Sequence, residues 1–174
     1  MTDLRYPVGR FQAVKRITET KRQALIEGIE QAPAKLSAAV HGLTAAQLDT
    51  PYRPDGWTVR QVVHHLPDSH LNAYVRFKLA LTEDAPAIRT YEQQLWAELE
   101  DARVGPVEIS LALLQALHQR WVLLLRVLQR KDFARTFRHP ELGVVTLDQQ
   151  LQHYEWHGRH HIAHITSLRE RRGW

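Results

Sequence analysis

Apolar residues recur at intervals of three and four along most of the chain, a spacing typical of amphipathic helices. One such stripe covers residues 19–43. A second follows Thr58, which together with Gln61 has the pattern of a capping box. The third follows Ser110, and the fourth follows Thr146 and continues to the end of the chain. Four long helices with apolar stripes predict an all-α protein built as a four-helix bundle.

The segments between these stripes predict smaller elements. Residues 91–99 favour a short connecting helix. Alternating residues over 133–145, around a turn that contains Gly143, favour a small hairpin before the last helix. There is no long linker and no internal repeat, and 174 residues suit one core. We therefore expect a single domain over residues 1–174.

The composition limits the possible metal ligands, nucleophiles and binding partners. The chain has no cysteine, so disulfides, thiolate ligands and a cysteine nucleophile are excluded. Histidine and carboxylates remain as metal ligands, and they suit Zn or Ni. The net charge is +4, but the basic residues are scattered except at residues 169–172, which argues against nucleic acid as a partner. No run approaches eighteen apolar residues and the start lacks a secretory pattern, so we expect a cytoplasmic protein without a membrane span.

Histidines are concentrated in the last predicted helix. His157 and His161 lie four residues apart, so a helix places them one turn apart on one face, where both can bind one divalent metal. A helical wheel places His161 within the apolar stripe and His157 and His164 on its flank. The same wheel points His153 and His160 toward water. The alternative for the inward pair is two core histidines that hydrogen-bond to neighbouring carbonyls.

The second helix offers candidates for a third ligand. The wheel places His64 opposite the apolar face, His70 near the centre of the stripe and His65 on its flank. Periodicity therefore leaves His65 and His70 both open. Asp68 could accept a proton from a ligand imidazole and so orient it. His118 on the third helix is expected to pack or to reach solvent rather than to bind a metal.

Two segments carry a family resemblance. Residues 56–65, GWTVRQVVHH, and residues 156–165, WHGRHHIAHI, resemble the YfiT-like branch of the DinB superfamily. Likeness elsewhere extends over almost the whole chain, and the two motifs together are specific where a single HxxxH is not. The resemblance implies a four-helix bundle, metal-dependent hydrolysis and one Zn or Ni on three histidines. Matched position by position, those ligands are His65, His157 and His161.

Three histidine ligands imply an open coordination position, as in catalytic rather than structural zinc sites. Water activated on such a metal could hydrolyse a small-molecule substrate, which is the function that we expect. The first alternative is a thiol S-transferase that uses bacillithiol, mycothiol or glutathione, as the wider superfamily implies. The second is a bundle whose metal is structural. The resemblance also implies a homodimer.

Five further residues bear on the site. We expect His164 to be a neighbour of the ligands rather than a ligand. Arg60, Arg76 and Tyr154 are candidates to contact a polar or acidic group of the substrate. Pro67 stands where relatives usually carry a small residue, and its missing N–H predicts an interruption of the second helix that could shift the metal geometry.

Overall fold

Four long helices dominate the computed structural model, which describes residues 3–174. They are α1 (Glu19–Val40), α3 (Val59–Thr82), α6 (Val107–Val127) and α8 (Leu147–Arg172). The short elements between them are α2 (Ala45–Leu48), α4 (Gln93–Ala97), α5 (Glu100–Val104), α7 (Arg130–Phe133), β1 (Thr136–His139) and β2 (Gly143–Thr146). In the bundle α1 packs against α6 and α8, and α3 packs against the same two helices. The predicted four-helix bundle is confirmed.

Two helix starts follow the sequence signals. Thr58 and Thr146 accept hydrogen bonds from the backbone N–H groups three residues later, and the Gln61 and Gln149 side chains return the bond, so both capping boxes are present. The end of α8 is set by Gly173, whose φ of 68° suits the left-handed cap of a helix.

The start of α6 differs from the prediction. Ser110 does not cap this helix, which begins one turn earlier at Val107, with Pro106 at the capping position and no side-chain cap. Proline fits there because it has no N–H to leave unpaired. The Ser110 hydroxyl is buried and bonds to a histidine of α3 instead. The short helix predicted over residues 91–99 is present but covers only Gln93–Ala97.

The expected interruption of the second helix does not occur. α3 is continuous from Val59 to Thr82, with Pro67 buried inside it. The proline has no N–H to donate to the carbonyl of Val63. Packing of this residue on its neighbours keeps the helix intact although one intrahelical bond is missing.

The predicted hairpin is confirmed. β1 and β2 pair antiparallel, with Thr136 opposite Thr146 and His139 opposite Gly143. Gly143 has a φ of 71°, which the tight connection requires and which glycine adopts without strain. β2 leads directly into α8, so the hairpin lies beside the first turn of that helix.

The core is divided into two apolar clusters. One is centred on Phe77, Trp121 and Leu151, and the other on Leu36, Val62 and Ile165. Buried histidines occupy the level between them, contributed by α3, α6 and α8; they are His65, His70, His118, His157 and His161. The bundle thus encloses a polar layer between two hydrophobic ends.

The N-terminal segment lies along α8. Trp156 donates its indole N–H to the carbonyl of Gly9 at 3.1 Å, and Gln152 exchanges hydrogen bonds with the backbone of Val14. The segment covers a face of α8 that the other long helices leave open. Among residues 3–174, no helix combines the length and the apolar character that a membrane crossing needs.

Candidate metal centre

Three buried imidazoles converge between α3 and α8. Each of His65, His157 and His161 offers a ring nitrogen, and these three nitrogens lie within 4.8 Å of one another. We call these residues the ligand triad. The one-turn spacing on α8 brings His157 and His161 together, and α3 presents His65 from the opposite side. Of the two candidates that periodicity left open on α3, His65 is the one that joins this group.

Two of the donors have the spacing of zinc ligands, and all three have the protonation state that metal binding requires. The Nε2 atoms of His65 and His157 are 3.3 Å apart. Two nitrogens that bind one zinc ion tetrahedrally at about 2.05 Å are also about 3.3 Å apart. Burial lowers the pKa of His65 to about 4 and the pKa values of His157 and His161 well below the usual value. The imidazoles are therefore neutral at pH 7, the form that binds metal.

A second set of histidines stands behind the triad. His70 of α3 bonds through Nε2 to Nδ1 of His157 at 3.2 Å, and through Nδ1 to Nε2 of His118 at 2.8 Å. His118 of α6 bonds through Nδ1 to the backbone carbonyl of Ile29 in α1, at 2.6 Å. We call His70, His118 and this carbonyl the histidine chain. It links one ligand of the triad to three other helices of the bundle.

The carbonyl at the end of the histidine chain decides every tautomer along it. A carbonyl only accepts, so Nδ1 of His118 carries the proton and its Nε2 accepts from His70. Burial lowers the pKa of His118 to about 4 and that of His70 well below its usual value, so each ring is neutral and carries one N–H. His70 Nε2 consequently accepts the Nδ1 proton of His157. The Nε2 lone pair of His157 is left facing His65, where a metal would use it.

Sequence reasoning missed the histidine chain. Its members lie on three helices and have no local spacing that a motif could show. The available signal was the place of His70 at the centre of an apolar stripe, since a histidine there needs a buried partner. For His118 the structure selects packing over solvent, with 1% of the residue exposed.

Two histidines predicted to be solvated are buried. His160 is covered because the N-terminal segment folds over α8, with Tyr6 beside its ring and Trp156 stacked on it at 4.4 Å. His64 is buried against the junction of α5 and α6, where its ring nitrogens bond to Ser110 Oγ and to the carbonyl of Gly105. The helical wheel failed for both because it assumed that only the long helices cover one another.

The two residues expected beside the ligands are placed differently. His164 lies next to His161, with 5.3 Å between ring centroids, but bonds to the backbone carbonyl of Arg5 and stacks on Tyr52. Asp68 makes no hydrogen bond to a triad imidazole among the described residues. Burial, followed by the charge of Asp101, raises the pKa of Asp68 to about 6. A role in orienting the ligands thus stays a prediction for both.

A cavity opens onto the triad. Its volume is 660 Å³, and its lining includes His157, His161, Arg76 and His139. The size is in the range of small-molecule sites. The carboxylates in its wall belong to exposed residues, namely Asp55, Glu92 and Glu141.

The three residues proposed to contact substrate separate into two groups. Arg76 and Tyr154 line the cavity, and the Tyr154 hydroxyl lies 3.3 Å from Ser69 Oγ. Arg60 is not part of the lining. It bonds to Asp49 at 2.7 Å and to the carbonyl of Gly105, so it ties α3 to the segments around it.

Comparison with known proteins shows the family of the chain. The family model described as the DinB superfamily matches residues 29–165. The chain belongs to the DinB superfamily. A relative from Bacillus cereus (strain 03BB102) is 53% identical over 174 residues, with both chains fully covered, and carries the name "Putative metal-dependent hydrolase". A relative from Bacillus mycoides (strain KBAB4) of the same description is 54% identical over the same length and coverage.

A solved structure is similar throughout. YfiT from Bacillus subtilis superposes with a TM-score of 0.96 at 52% identity, over 98% of each chain. It is described as "a probable metal-dependent hydrolase with an unusual four-helix bundle topology". Within the DinB superfamily match, residues 29–165 contain the whole triad and the whole histidine chain.

Proposed function

We propose that this protein is a metal-dependent hydrolase of a small molecule, with one Zn or Ni held by His65, His157 and His161. The observation that carries the proposal is the convergence of three buried, neutral imidazoles beside a cavity of 660 Å³. The names of relatives more than 50% identical to the chain support the same reaction class.

The donor set favours a catalytic over a structural metal. Within residues 3–174 the group consists of three histidines, and three protein ligands are typical of catalytic zinc sites. A divalent cation so held supplies Lewis acidity, which can lower the pKa of water toward about 7 and polarise a carbonyl or phosphoryl oxygen.

The chain's own residues have definable tasks in this proposal. His70 holds the Nδ1 proton of His157 and so keeps the Nε2 lone pair of that ring available. Trp57 packs against His65, with 4.7 Å between ring centroids, and shields that side of the triad from water. Tyr154 and Ser69 form the polar wall next to the triad, where they can donate to a substrate oxygen.

The test is a paired activity screen of the metal-loaded protein. One arm offers small esters, amides and phosphoesters in water, and the other offers a bimane halide with each low-molecular-weight thiol. We expect hydrolysis in the first arm that disappears with a chelator and in a His161→Ala variant. The matched control is Arg159→Ala, a change on the same helix at an exposed residue that neither belongs to the triad nor lines the cavity.

Two results would contradict the proposal. Thiol-dependent conjugation without hydrolysis would assign the protein to the thiol S-transferases. Inactivity in both arms with a full complement of metal would assign the metal a structural role.

A further inference from the structure

Arg76 is a buried cation in the wall of the cavity. It lies on α3, eleven residues after His65, which is about 16 Å along the helix axis and close to the same face. The residue is 8% exposed. Arg76 lines the same cavity as His157 and His161.

The guanidinium has one protein partner among residues 3–174. Nη2 donates to the carbonyl of Arg89 at 3.2 Å, and no carboxylate of residues 3–174 lies within ion-pair distance of the guanidinium. Nε and Nη1 make no hydrogen bond within residues 3–174 and are not fully enclosed, and Arg76 lines the cavity. A buried charge without a counter-ion is costly, and burying it is favourable when an anion completes the site.

Uncharged rings surround this cation. Burial lowers the pKa of His153 to about 4, and the charge of Arg76 lowers it further. Tyr154 lies close enough for its pKa, raised by burial, to be lowered in part by the same charge. The other arginines of the cavity wall are differently placed: Arg5 is exposed and pairs with Asp3 at 3.1 Å, and Arg53 bonds to the carbonyl of Pro54.

We infer that Arg76 is an anion-binding subsite, and that the substrate is a small molecule with a carboxylate or phosphate group placed away from the bond that reacts at the triad. This inference rests on the proposed function only in assuming that the other end of the substrate reacts at the triad. The subsite itself requires only the cavity and the free N–H groups of Arg76. A guanidinium suits both anions because its N–H groups can donate in parallel to two oxygens.

The test measures binding to the 174-residue chain in metal-free form. The probes are 3-phenylpropanoate, its uncharged isostere 3-phenylpropanamide, and phenyl phosphate, titrated by NMR chemical shift. We expect an anion to bind roughly tenfold to hundredfold more tightly than the amide, as hydrogen bonds to charged groups allow. The tighter of the two anions identifies the preferred group. No preference for either anion over the amide would overturn the inference.

Substitutions localise the effect. In Arg76→Gln we expect the preference to disappear, and in Arg138→Gln, an exposed arginine of β1, we expect it to persist. A preference that survives in Arg76→Gln would refute the subsite. If that variant does not fold, Arg76→Lys is measured instead. Lysine keeps the positive charge but lacks the paired N–H donors of arginine. There anion affinity should fall while amide affinity holds, and an equal fall for both probes would show a purely structural role.

Failure here is distinguishable from failure of the hydrolase proposal. Binding is measured without metal, so an inactive protein can still show the anion preference. Conversely, an active hydrolase that binds the amide and the anions equally would retain its function and lose this subsite.

Discussion

The two α8 ligands of the triad are supported in different ways. His157 is held from behind by the histidine chain, which ends at a backbone carbonyl of α1. The Nδ1 atom of His161 is buried without a hydrogen-bond partner among the described residues. One ligand is thus oriented by the interior of the bundle, whereas the other depends on helix spacing and on packing near Trp57. A metal site can thus combine two kinds of ligand. The tautomer of one is fixed by a hydrogen bond before the metal binds, whereas the tautomer of the other is fixed only when the metal binds.

The largest effect should come from removing either of these ligands. We expect His157→Ala and His161→Ala each to abolish metal binding, because two imidazoles cannot hold the ion against a chelator. His160→Ala is the matched control, since its ring lies beside His161 but outside the triad. Metal content after dialysis against a weak chelator measures the difference. Retention of metal by both ligand variants would disprove the triad.

Acid should destabilise the metal-free protein through the histidine chain. The pKa of His118 is about 4 in the folded state and 6.5 without perturbation, so the unfolded chain binds more protons between these values. The contribution of His118 to the free energy of unfolding is therefore complete above pH 6.5 and decreases as the pH drops toward 4. The slope is about 1.4 kcal/mol per pH unit for each histidine of this kind.

Urea denaturation at several pH values between 7 and 4 measures this slope. In His118→Leu the free energy of unfolding should depend less steeply on pH, by the contribution of one histidine. A free energy of unfolding that rises on acidification would contradict the neutral, buried state of the chain.

The next effect tests whether the histidine chain supports metal binding by the triad. His70→Leu keeps the side-chain bulk but removes both ring nitrogens, so His157 loses the partner that fixes its tautomer. We expect metal affinity to fall about tenfold to hundredfold, the range for partners that orient ligands. Competition with a chromophoric chelator measures it. The control is His153→Leu, which changes another ring near His157 that makes no hydrogen bond to it. Equal affinities in the two variants would show that the chain does not support the site.

The smallest effect concerns Pro67. Pro67→Ala restores an N–H that can donate to the Val63 carbonyl inside α3, so we expect the free energy of unfolding to rise by about 1 kcal/mol. Metal affinity should stay nearly constant because α3 is already continuous at this position. Urea denaturation and the chelator assay check the two expectations. A large change in affinity would mean that the proline sets the position of His65.

The sequence predicted the parts of this molecule that depend on local pattern. The bundle, two capping boxes and the hairpin follow from periodicity and turn residues, and all appear in the structure. The four-residue spacing identified His157 and His161 as candidate ligands, and the family resemblance selected His65. Both kinds of information can be read from the sequence without knowledge of tertiary contacts.

Features that depend on tertiary contact were beyond local pattern. The burial of His160 requires an N-terminal segment without regular structure to cross α8, and the burial of His64 requires the α5–α6 junction. The partnership of His70 with His118 joins residues 48 positions apart. A helical wheel treats each helix alone and so cannot register which segment covers it.

Metal stoichiometry tests the central claim most directly. The purified protein would be reconstituted with zinc, desalted and analysed for metal and for protein, with His65→Ala treated in parallel. The triad predicts about one zinc per chain in the natural sequence and none in the variant. A natural-sequence protein without zinc, or a variant that keeps a full equivalent, would contradict the account.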